Sequence, residues 1–243
     1  DAALDTLRRK ALPAEAGVWD ELRADDGALR APWRGFAELL PDPPAGLDMA
    51  ADLDRRVAQV AQQIRLDGVT HNVFGDEGVA SRPWSLELLP LLIEPADWAK
   101  IEQGVTQRAA LLEAMLDDLY GPRKLLHEGL LPPALMLRHP GYLRPMQGVQ
   151  PPGGLRLHIV AFDLARGPEG DWWVVAQRTQ GPSGLGYVLH NRLTISRQFP
   201  EAFRDLRVQH IASSYRRLLD TVEAAARKVA GGHAPRVVLL TPG

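Results

Sequence analysis

The segment LRLHIVAF, residues 155–162, alternates between core-type and polar side chains and therefore predicts a β-strand. A turn sequence, Gly-Pro-Glu-Gly-Asp at residues 167–171, follows it, and residues 172–179 predict a second strand. Two such strands joined by a short turn form a hairpin, so we expect β-structure after about residue 153.

The pattern before this hairpin is helical. The spacing of apolar side chains predicts one helix over residues 47–66 and a longer one over residues 95–120, which Gly121-Pro122 ends. Prolines interrupt residues 1–40, so only short helices are expected there. The N-terminal region, residues 1–152, is therefore predicted to be largely helical.

The pattern after the hairpin predicts a helix over residues 199–230 and a short buried strand over residues 235–240. We predict a mixed α/β (α+β) fold, in which the helical region packs on a partial, hairpin-containing sheet in residues 153–243. A strand that opens a parallel unit normally leads into a crossover helix. We therefore expect the sequence to be the N-terminal part of a longer protein.

Composition and charge argue against several classes of protein. The 243 residues include 28 Lys and Arg against 30 Asp and Glu, a net charge of −2 that argues against a nucleic-acid partner. No cysteine is present, which excludes disulfides, thiol catalysis and Cys-ligated metal. The longest apolar runs, such as residues 88–93, are too short to cross a bilayer. We expect a cytoplasmic location and no membrane partner. The sequence leaves the oligomeric state open.

A glycine-rich segment, Gln180-Gly181-Pro182-Ser183-Gly184-Leu185-Gly186-Tyr187, follows the second strand. Glycines let the backbone approach a ligand closely and direct N–H groups at an anion. The segment is not a Walker loop, a dinucleotide fingerprint or a hydrolase elbow, because it lacks the residues that each of those requires. An anion-binding loop and an ordinary connection are both compatible with its spacing.

Other polar residues can likewise be interpreted either as part of a functional site or as ordinary structural and surface residues. The run His71-Asn72-Val73-Phe74-Gly75-Asp76 surrounds a predicted turn and suits either a metal site or a capped turn with a hydrogen-bonded histidine. Asp163 lies near the end of the first hairpin strand, where a site residue could project from a rigid element. Arg178 and Arg192 flank the glycine-rich segment and could bind phosphate or carboxylate, or form surface ion pairs.

Several motifs follow one another in order from about residue 20 onward. They are Gly68-Val69-Thr70-His71-Asn72-Val73-Phe74-Gly75-Asp76, Gly104-x-x-Gln107-Arg108-Ala109, Leu116-x-Asp118-Leu119-Tyr120-Gly121, Asp163-Leu164-x-Arg166, Pro182-Ser183-Gly184-x-Gly186-Tyr187-x-Leu189-x-Asn191-Arg192 and Leu239-Leu240-Thr241-Pro242-Gly243. The Gln-Arg-Ala helix and the Pro-Ser-Gly…Asn-Arg block are the most specific pair. Together the motifs resemble the circularly permuted ATP-grasp proteins, a bacterial group similar to glutathionylspermidine synthetase.

This resemblance implies an ATP-dependent carboxylate–amine ligase. In such enzymes ATP phosphorylates a carboxylate, and an amine then displaces phosphate to give an amide. The implied cofactors are ATP and Mg²⁺, because phosphoryl transfer needs cations to neutralise the charge on the transferred group. The implied substrates are a small carboxylate and a small amine.

The resemblance also implies roles for individual residues. Asp163 is the implied metal-facing and catalytic carboxylate, and Arg192 is a second catalytic residue. Ser183 and the amides of Gly184 and Gly186 would hold the acyl substrate or a phosphate. The other implied ligand-binding residues are Asn72, Asp76, Arg178, Tyr187 and Asn191, the last of which would support the glycine loop or contact an anion.

The sequence departs from the family in two respects. Close relatives carry a Glu-Asp-Asn metal-binding triplet on the second hairpin strand, and this chain has Ala176-Gln177-Arg178 there, which removes a carboxylate and adds a cation. The rest of the nucleotide site is expected after Gly243, so the chain alone is expected to be inactive. The alternative to a ligase is a non-catalytic ATP-grasp-like module that binds a nucleotide, a peptide or a partner protein. A metal-dependent hydrolase is a third, more distant reading.

Overall fold

A computed structural model of the protein describes residues 2–13, 15–71, 82–231 and 233–238. These residues form nine α-helices, one short 3-10 helix at Arg144–Met146 and two two-stranded sheets. The helices are α1 (Ala2–Lys10), α2 (Ala31–Glu38), α3 (Met49–Leu66), α4 (Pro95–Tyr120), α5 (Lys124–His127), α6 (Pro133–Leu137), α7 (Leu185–Gln198), α8 (Pro200–Asp205) and α9 (Ala212–Val229). The strands are β1 (Thr70–His71), β2 (Arg82–Pro83), β3 (Ala161–Arg166) and β4 (Trp172–Arg178).

The mixed α+β fold predicted from the sequence is confirmed. Both long helices occur where their apolar spacing predicts them: α3 begins two residues later than expected, and α4 has the predicted bounds. The carboxylate of Asp48 caps α3 by accepting a hydrogen bond from the backbone N–H of Ala51 at 2.8 Å. In the described part of the chain, no helix is long and apolar enough to cross a membrane.

The first strand of the hairpin lies further along the chain than predicted, because β3 begins at Ala161. The carboxylate of Glu113 on α4 accepts hydrogen bonds from the backbone N–H groups of Arg156 and Leu157, both at 2.8 Å. These two N–H groups are bound to a side chain rather than to a neighbouring strand, so the alternating pattern of this segment does not produce a ladder.

The region after the hairpin differs most from the prediction. Residues 185–198 form α7, and the single helix expected over residues 199–230 is divided into α8 and α9. Phe199 has the non-helical angles φ −134° and ψ 59°, which separate α7 from α8. Arg207 has φ +51°, and the N–H of Val208 bonds to the carbonyl of Phe203, a left-handed cap that ends α8. Residues 235–238, predicted to be strand, are not in a strand.

The chain forms two compact units, each made of several segments. The first unit comprises residues 1–94, 166–171 and 184–212, and the second comprises residues 95–165, 172–183 and 213–243. The division between domains expected after residue 152 stays a prediction.

The core of the first unit is formed by α1, α2, α3, α7 and α8. The rings of Phe36 and Phe199 are both almost fully buried and meet edge to face with centroids 5.1 Å apart, and Trp33 packs against Phe36 at 5.7 Å. Other members of this core are Ala3, Leu7, Leu29, Ala37, Met49, Leu53, Val60, Ile64, Leu88, Ile195 and Ala202. The core therefore combines helices from both ends of the chain.

The second unit contains α4, whose C-terminal end is fixed by polar contacts. The carboxylate of Asp118 accepts hydrogen bonds from the backbone N–H groups of Lys124 and Leu125, and so caps the start of α5. The ring of Tyr120 stacks on Tyr142 with centroids 5.1 Å apart, and its hydroxyl accepts a hydrogen bond from the N–H of Leu143. The Leu116–Gly121 motif thus has a structural role at the end of α4.

Candidate functional site

Helix α7 and the residue before it carry five of the predicted site residues: Gly184, Gly186, Tyr187, Asn191 and Arg192. Gly184 is the N-cap of α7 and has φ +113° and ψ −9°, a conformation that strongly favours glycine. The carbonyl of Gly184 accepts the first helical hydrogen bond, from the N–H of Val188 at 3.0 Å. Glycine at this position therefore sets where the helix begins.

Among the residues that the structure describes in the first unit, the N-terminal end of α7 is open. A Cβ atom added to Gly184 or Gly186 would meet no heavy atom of the described residues within 4 Å, and no side chain caps the helix. The first N–H groups of an α-helix have no partner within the helix and carry a partial positive charge. Gly186 has no left-handed φ, so its backbone would accept alanine, and what the glycine provides is space next to these N–H groups.

Two side chains of α7 bind it to β1 and to Trp84, which directly follows β2. The hydroxyl of Tyr187 donates to the carbonyl of Thr70 at 2.6 Å, and the Nε1–H of Trp84 donates to Oδ1 of Asn191 at 2.9 Å. The rings of Trp84 and Tyr187 stack with centroids 4.4 Å apart. We refer to Thr70, Trp84, Tyr187 and Asn191 as the α7 brace. It holds the helix start through residues more than one hundred positions away in sequence.

A second polar link joins α7 to the end of α3, and sequence reasoning did not find it. Nε2 of His190 lies 2.9 Å from Oδ2 of Asp67, and Nε2–H of Gln63 donates to the other carboxylate oxygen at 2.7 Å. The hydrogen bond from His190 holds the pKa of Asp67 below its usual value, against the opposing effect of desolvation. The residue pair Asp67-Gly68 reads in the sequence only as the end of a helix.

Arg192, predicted as catalytic, is half-buried in the first unit. Its guanidinium carbon lies 5.8 Å from the centre of the Phe203 ring, a cation–π distance. Burial of the guanidinium lowers the pKa of Arg192 from its ordinary value. The structure places this residue two turns after Gly184, with its side chain at α8.

The remaining described candidates, Asp163, Arg178 and Ser183, belong to the second unit. Asp163 on β3 and Arg178 on β4 form an ion pair, with Nη2 of Arg178 2.6 Å from Oδ2 of Asp163. Both side chains are substantially exposed, at 43% for Asp163 and 63% for Arg178. Ser183 is exposed in the loop after β4. Asn72 and Asp76 lie outside the described residues.

A magnesium site around Asp163 is not formed by the described residues alone. Within them, no three His, Cys, Asp or Glu side chains are grouped closely enough to hold a metal ion. Mg²⁺ requires a nearly octahedral set of oxygen ligands, and the one carboxylate at this position already binds a guanidinium. The described residues of the hairpin therefore do not fit the ion, and the implied metal role of Asp163 stays a prediction.

Comparison with other proteins identifies longer relatives. The chain is 38% identical over 233 residues to the uncharacterised protein Rv2567 of Mycobacterium tuberculosis, covering 93% of this chain and 26% of the relative. It is 34% identical to the uncharacterised protein ML0605 of Mycobacterium leprae, covering 93% of this chain and 38% of the relative. A third relative, the uncharacterised protein sll0335 of Synechocystis, is 35% identical over 178 residues, covering 72% of this chain and 36% of the relative.

The chain thus spans about a quarter to two fifths of the length of these relatives. Their names state no substrate, so the implied likeness to glutathionylspermidine synthetase stays a prediction. A family model described as circularly permuted ATP-grasp type 2 matches residues 90–243, which include α4, the β3–β4 pair, the open end of α7 and α9. Because this match covers well over half of the sequence, the chain belongs to the circularly permuted ATP-grasp type 2 family.

Proposed function

We propose that the protein is an ATP-dependent carboxylate–amine ligase. ATP supplies the phosphoryl group that activates a small carboxylate as an acyl phosphate, and a small amine then displaces phosphate, losing a proton as the amide forms. The observation that carries the proposal is the open, glycine-bounded end of α7 within the matched family region. Such a helix end offers N–H donors to a phosphate or carboxylate without a side chain in the way.

In this proposal the residues of α7 divide into two groups. The N–H groups around Gly186 bind an anionic oxygen of the nucleotide or acyl group, with Gly184 fixing their direction. Tyr187 and Asn191 are positioning residues, because their polar atoms are engaged by Thr70 and Trp84. The α7 brace thus holds the N–H groups in place before a ligand arrives, which reduces the entropy cost of binding.

The other predicted site residues have proposed roles that depend on the longer protein. Arg192, Ser183, Asn72 and Asp76 are proposed to contact the anionic substrate or to support the loop. Asp163 is proposed as one residue that would hold the Mg²⁺ accompanying ATP, an ion that would neutralise charge on the transferred phosphoryl group. The reaction is proposed to take place in the cytoplasm.

A second candidate function is a non-catalytic ATP-grasp-like module that binds a nucleotide, peptide or partner protein. It is favoured by the Asp163–Arg178 ion pair, which places a cation where a ligase needs a metal-binding carboxylate. The two functions differ in turnover: a ligase releases phosphate from ATP when a carboxylate and an amine are supplied, whereas a binding module holds ATP without releasing phosphate.

The test is calorimetric titration of ATP, with and without Mg²⁺, into the full-length protein that the gene encodes and into its Gly186→Ala variant. We expect a dissociation constant at least tenfold higher for the variant, because the added Cβ occupies the space that ligand atoms need. The control is Gly35→Ala on α2, whose Cβ would make an ordinary contact of 4.0 Å with Leu206. It is expected to bind ATP as the unmodified protein does.

Equal affinity of the Gly186→Ala variant and the unmodified protein would contradict the role of the α7 end. Phosphate release is then measured with mixtures of amino acids and polyamines as carboxylates and amines. Tight ATP binding without phosphate release on any such mixture would favour the non-catalytic module over the ligase.

A further inference from the structure

A cleft of about 370 Å³ lies between the second half of α3 and the last turn of α7, away from the open end discussed above. Six of its seven lining residues have polar side chains, namely four glutamines, one arginine and one threonine, and the seventh is Leu66. The polar residues are Gln59, Gln62, Gln63, Thr194, Arg197 and Gln198. This volume is at the lower end of the range of small-molecule sites, so the cleft suits a small polar ligand.

A polar contact at each end of the cleft links its two walls, α3 and α7. At one end, the guanidinium of Arg56 on α3 donates to the backbone carbonyl of Gln198 at 2.6 Å. At the other end, His190 on α7 binds Asp67 immediately after α3 at 2.9 Å. The helices therefore run antiparallel, and the two links fix the backbone spacing across the cleft, while the side chains of Gln59, Gln62, Leu66 and Arg197 are exposed along it.

Arg197 supplies the cleft with its charge. Within the described residues it is in no ion pair; its charge acts on Asp67, whose carboxylate is held by His190 and Gln63. The guanidinium can therefore bind a ligand carboxylate through two parallel hydrogen bonds. The cleft lies beside the last turn of α7, whose carbonyl groups attract N–H donors and repel a carboxylate, so the charge of Arg197 has to outweigh this repulsion.

The glutamine side chains determine which groups of the ligand, besides its carboxylate, the cleft can bind. Among the described residues, the side-chain amides of Gln59, Gln62 and Gln198 make no hydrogen bond to the protein, and the amide of Gln63 is directed at Asp67. A carboxamide both donates and accepts, so it matches the N–H and C=O groups of a peptide bond. We propose that the α3–α7 cleft is a binding site for a short peptide or N-acylated amino acid, with its terminal carboxylate at Arg197.

This site is independent of ATP and lies at the opposite end of α7 from the proposed phosphate-binding N–H groups. With a rise of 1.5 Å per residue, the 14-residue helix separates the two by roughly 20 Å. The inference goes beyond the proposed ligase activity, and its test contains no nucleotide. Failure of either proposal is therefore distinguishable from failure of the other.

The test is an NMR titration of the isotopically labelled chain with N-acetylglycylglycine. The signals to follow are the side-chain NH₂ groups of Gln59, Gln62 and Gln198 and the Nε–H of Arg197. We expect saturable shifts of these signals with a dissociation constant of about 1 mM, a usual strength for so small a ligand. The comparison probe is N-acetylglycylglycinamide, which lacks the carboxylate and is expected to bind at least tenfold more weakly.

The Arg197→Gln variant is expected to lose at least tenfold in affinity for N-acetylglycylglycine and to bind the amide as before, because only the charged hydrogen bonds are removed. The control is Arg65→Gln, an exposed arginine in the last turn of α3 that does not line the cleft, and it is expected to change nothing. Two-dimensional spectra of both variants verify the fold. The proposal is overturned by equal binding of both probes, by unchanged binding in Arg197→Gln, or by the absence of saturable shifts at these side chains.

Discussion

Asp52 is a charged side chain within the core of the first unit, with 1% of its surface exposed. Two arginines from the next turn of α3 bind it: Nη2 of Arg55 lies 2.5 Å from Oδ1, and Nε of Arg56 lies 2.7 Å from Oδ2. Arg56 also donates to the carbonyl of Gln198, so the buried carboxylate orients the guanidinium that links α3 to α7. A single residue therefore supports both the core and one end of the α3–α7 cleft.

Stability should fall in acid partly through Asp52. Burial acts to raise the pKa of Asp52, but the hydrogen bonds and charges of Arg56 and Arg55 outweigh it, and the pKa is lowered overall. The unfolded chain then binds the proton more readily than the folded one, so this contribution is present above the ordinary aspartate pKa and is lost as pH falls through the lower folded-state value. We expect Asp52→Asn to reduce the free energy of unfolding by about 2–4 kcal/mol near neutral pH, with the difference shrinking towards acid.

Urea unfolding at a series of pH values from neutral down to about pH 3 measures this difference. The matched control is Asp54→Asn, because Asp54 is 69% exposed and, among the described residues, its one ion pair is with Lys10. An exposed pair of this kind is expected to contribute less than about 1 kcal/mol. A loss in Asp52→Asn that does not depend on pH would contradict the assignment.

Helix α7 is the element on which the candidate site depends, and its first turn is held from outside the helix. The α7 brace supplies two hydrogen bonds and one ring stack, and the residues concerned are partly buried. A net contribution of about 1 kcal/mol is typical for one such hydrogen bond. The brace therefore stabilises the start of a helix whose N-cap is glycine and which has no capping side chain.

The Tyr187→Phe variant removes one hydrogen bond of the brace and keeps the ring stack. We expect it to lower the free energy of unfolding by about 1 kcal/mol, because the carbonyl of Thr70 loses its donor. The measurement is urea denaturation followed by far-UV circular dichroism. Tyr215→Phe on α9 serves as the control, since Tyr215 is 39% exposed and its hydroxyl has no recorded partner within the described residues. Equal stability of the two variants would show that the hydroxyl of Tyr187 contributes nothing to the brace.

Long helices with regular apolar spacing could be predicted from the sequence. Helices α3 and α4 have strong periodicity and clear ends, with Asp48 as a cap and Gly121-Pro122 as a stop. Helix α7 could not be predicted in this way, because its first turn contains Gly186 and its sequence has little amphipathic pattern. Its position depends instead on contacts with Thr70 and Trp84, which local spacing does not encode.

From the sequence, the candidate site could be predicted only as a set of residue types, without the contacts between them. The glycine-rich segment predicted either an anion-binding loop or an ordinary connection, and in the structure its second half begins α7. The effect of Arg178 on a metal site stays a prediction. The polar links of Tyr187 and Asn191 and the cleft around Arg197 were not predictable. Each of them joins α7 to residues far away in sequence, and their partners become neighbours only when the first unit has folded.

At the scale of the whole molecule, the first unit draws its core from distant parts of the chain. Ile195, Phe199 and Ala202 are at most 5% exposed and pack with the helices of residues 1–66. Without α7 and α8, the apolar faces of α1, α2 and α3 would lose this cover. Removal of a buried phenylalanine alone costs about 3–5 kcal/mol, a large part of the 5–15 kcal/mol that stabilises a typical domain.

We therefore expect a chain shortened to residues 1–183 to lose the fold of the first unit, whereas a chain of residues 1–212 retains it. The first lacks α7 and α8, and the second keeps every segment of that unit while losing nearly all of α9. Near-UV circular dichroism and the dispersion of indole signals such as that of Trp33 distinguish the two. A folded first unit in the 1–183 chain would contradict the role given to Phe199 and its neighbours.

This arrangement also determines when the protein can fold during its synthesis. The ribosome completes α3 at Leu66, but α7 and α8, which complete the core around α1, α2 and α3, begin only at Leu185. At ordinary rates of translation the interval is on the order of ten seconds. Throughout that interval the N-terminal helices emerge with a partly uncovered apolar face, and exposed apolar surface of this kind is prone to aggregate or to be bound by chaperones until α7 leaves the ribosome.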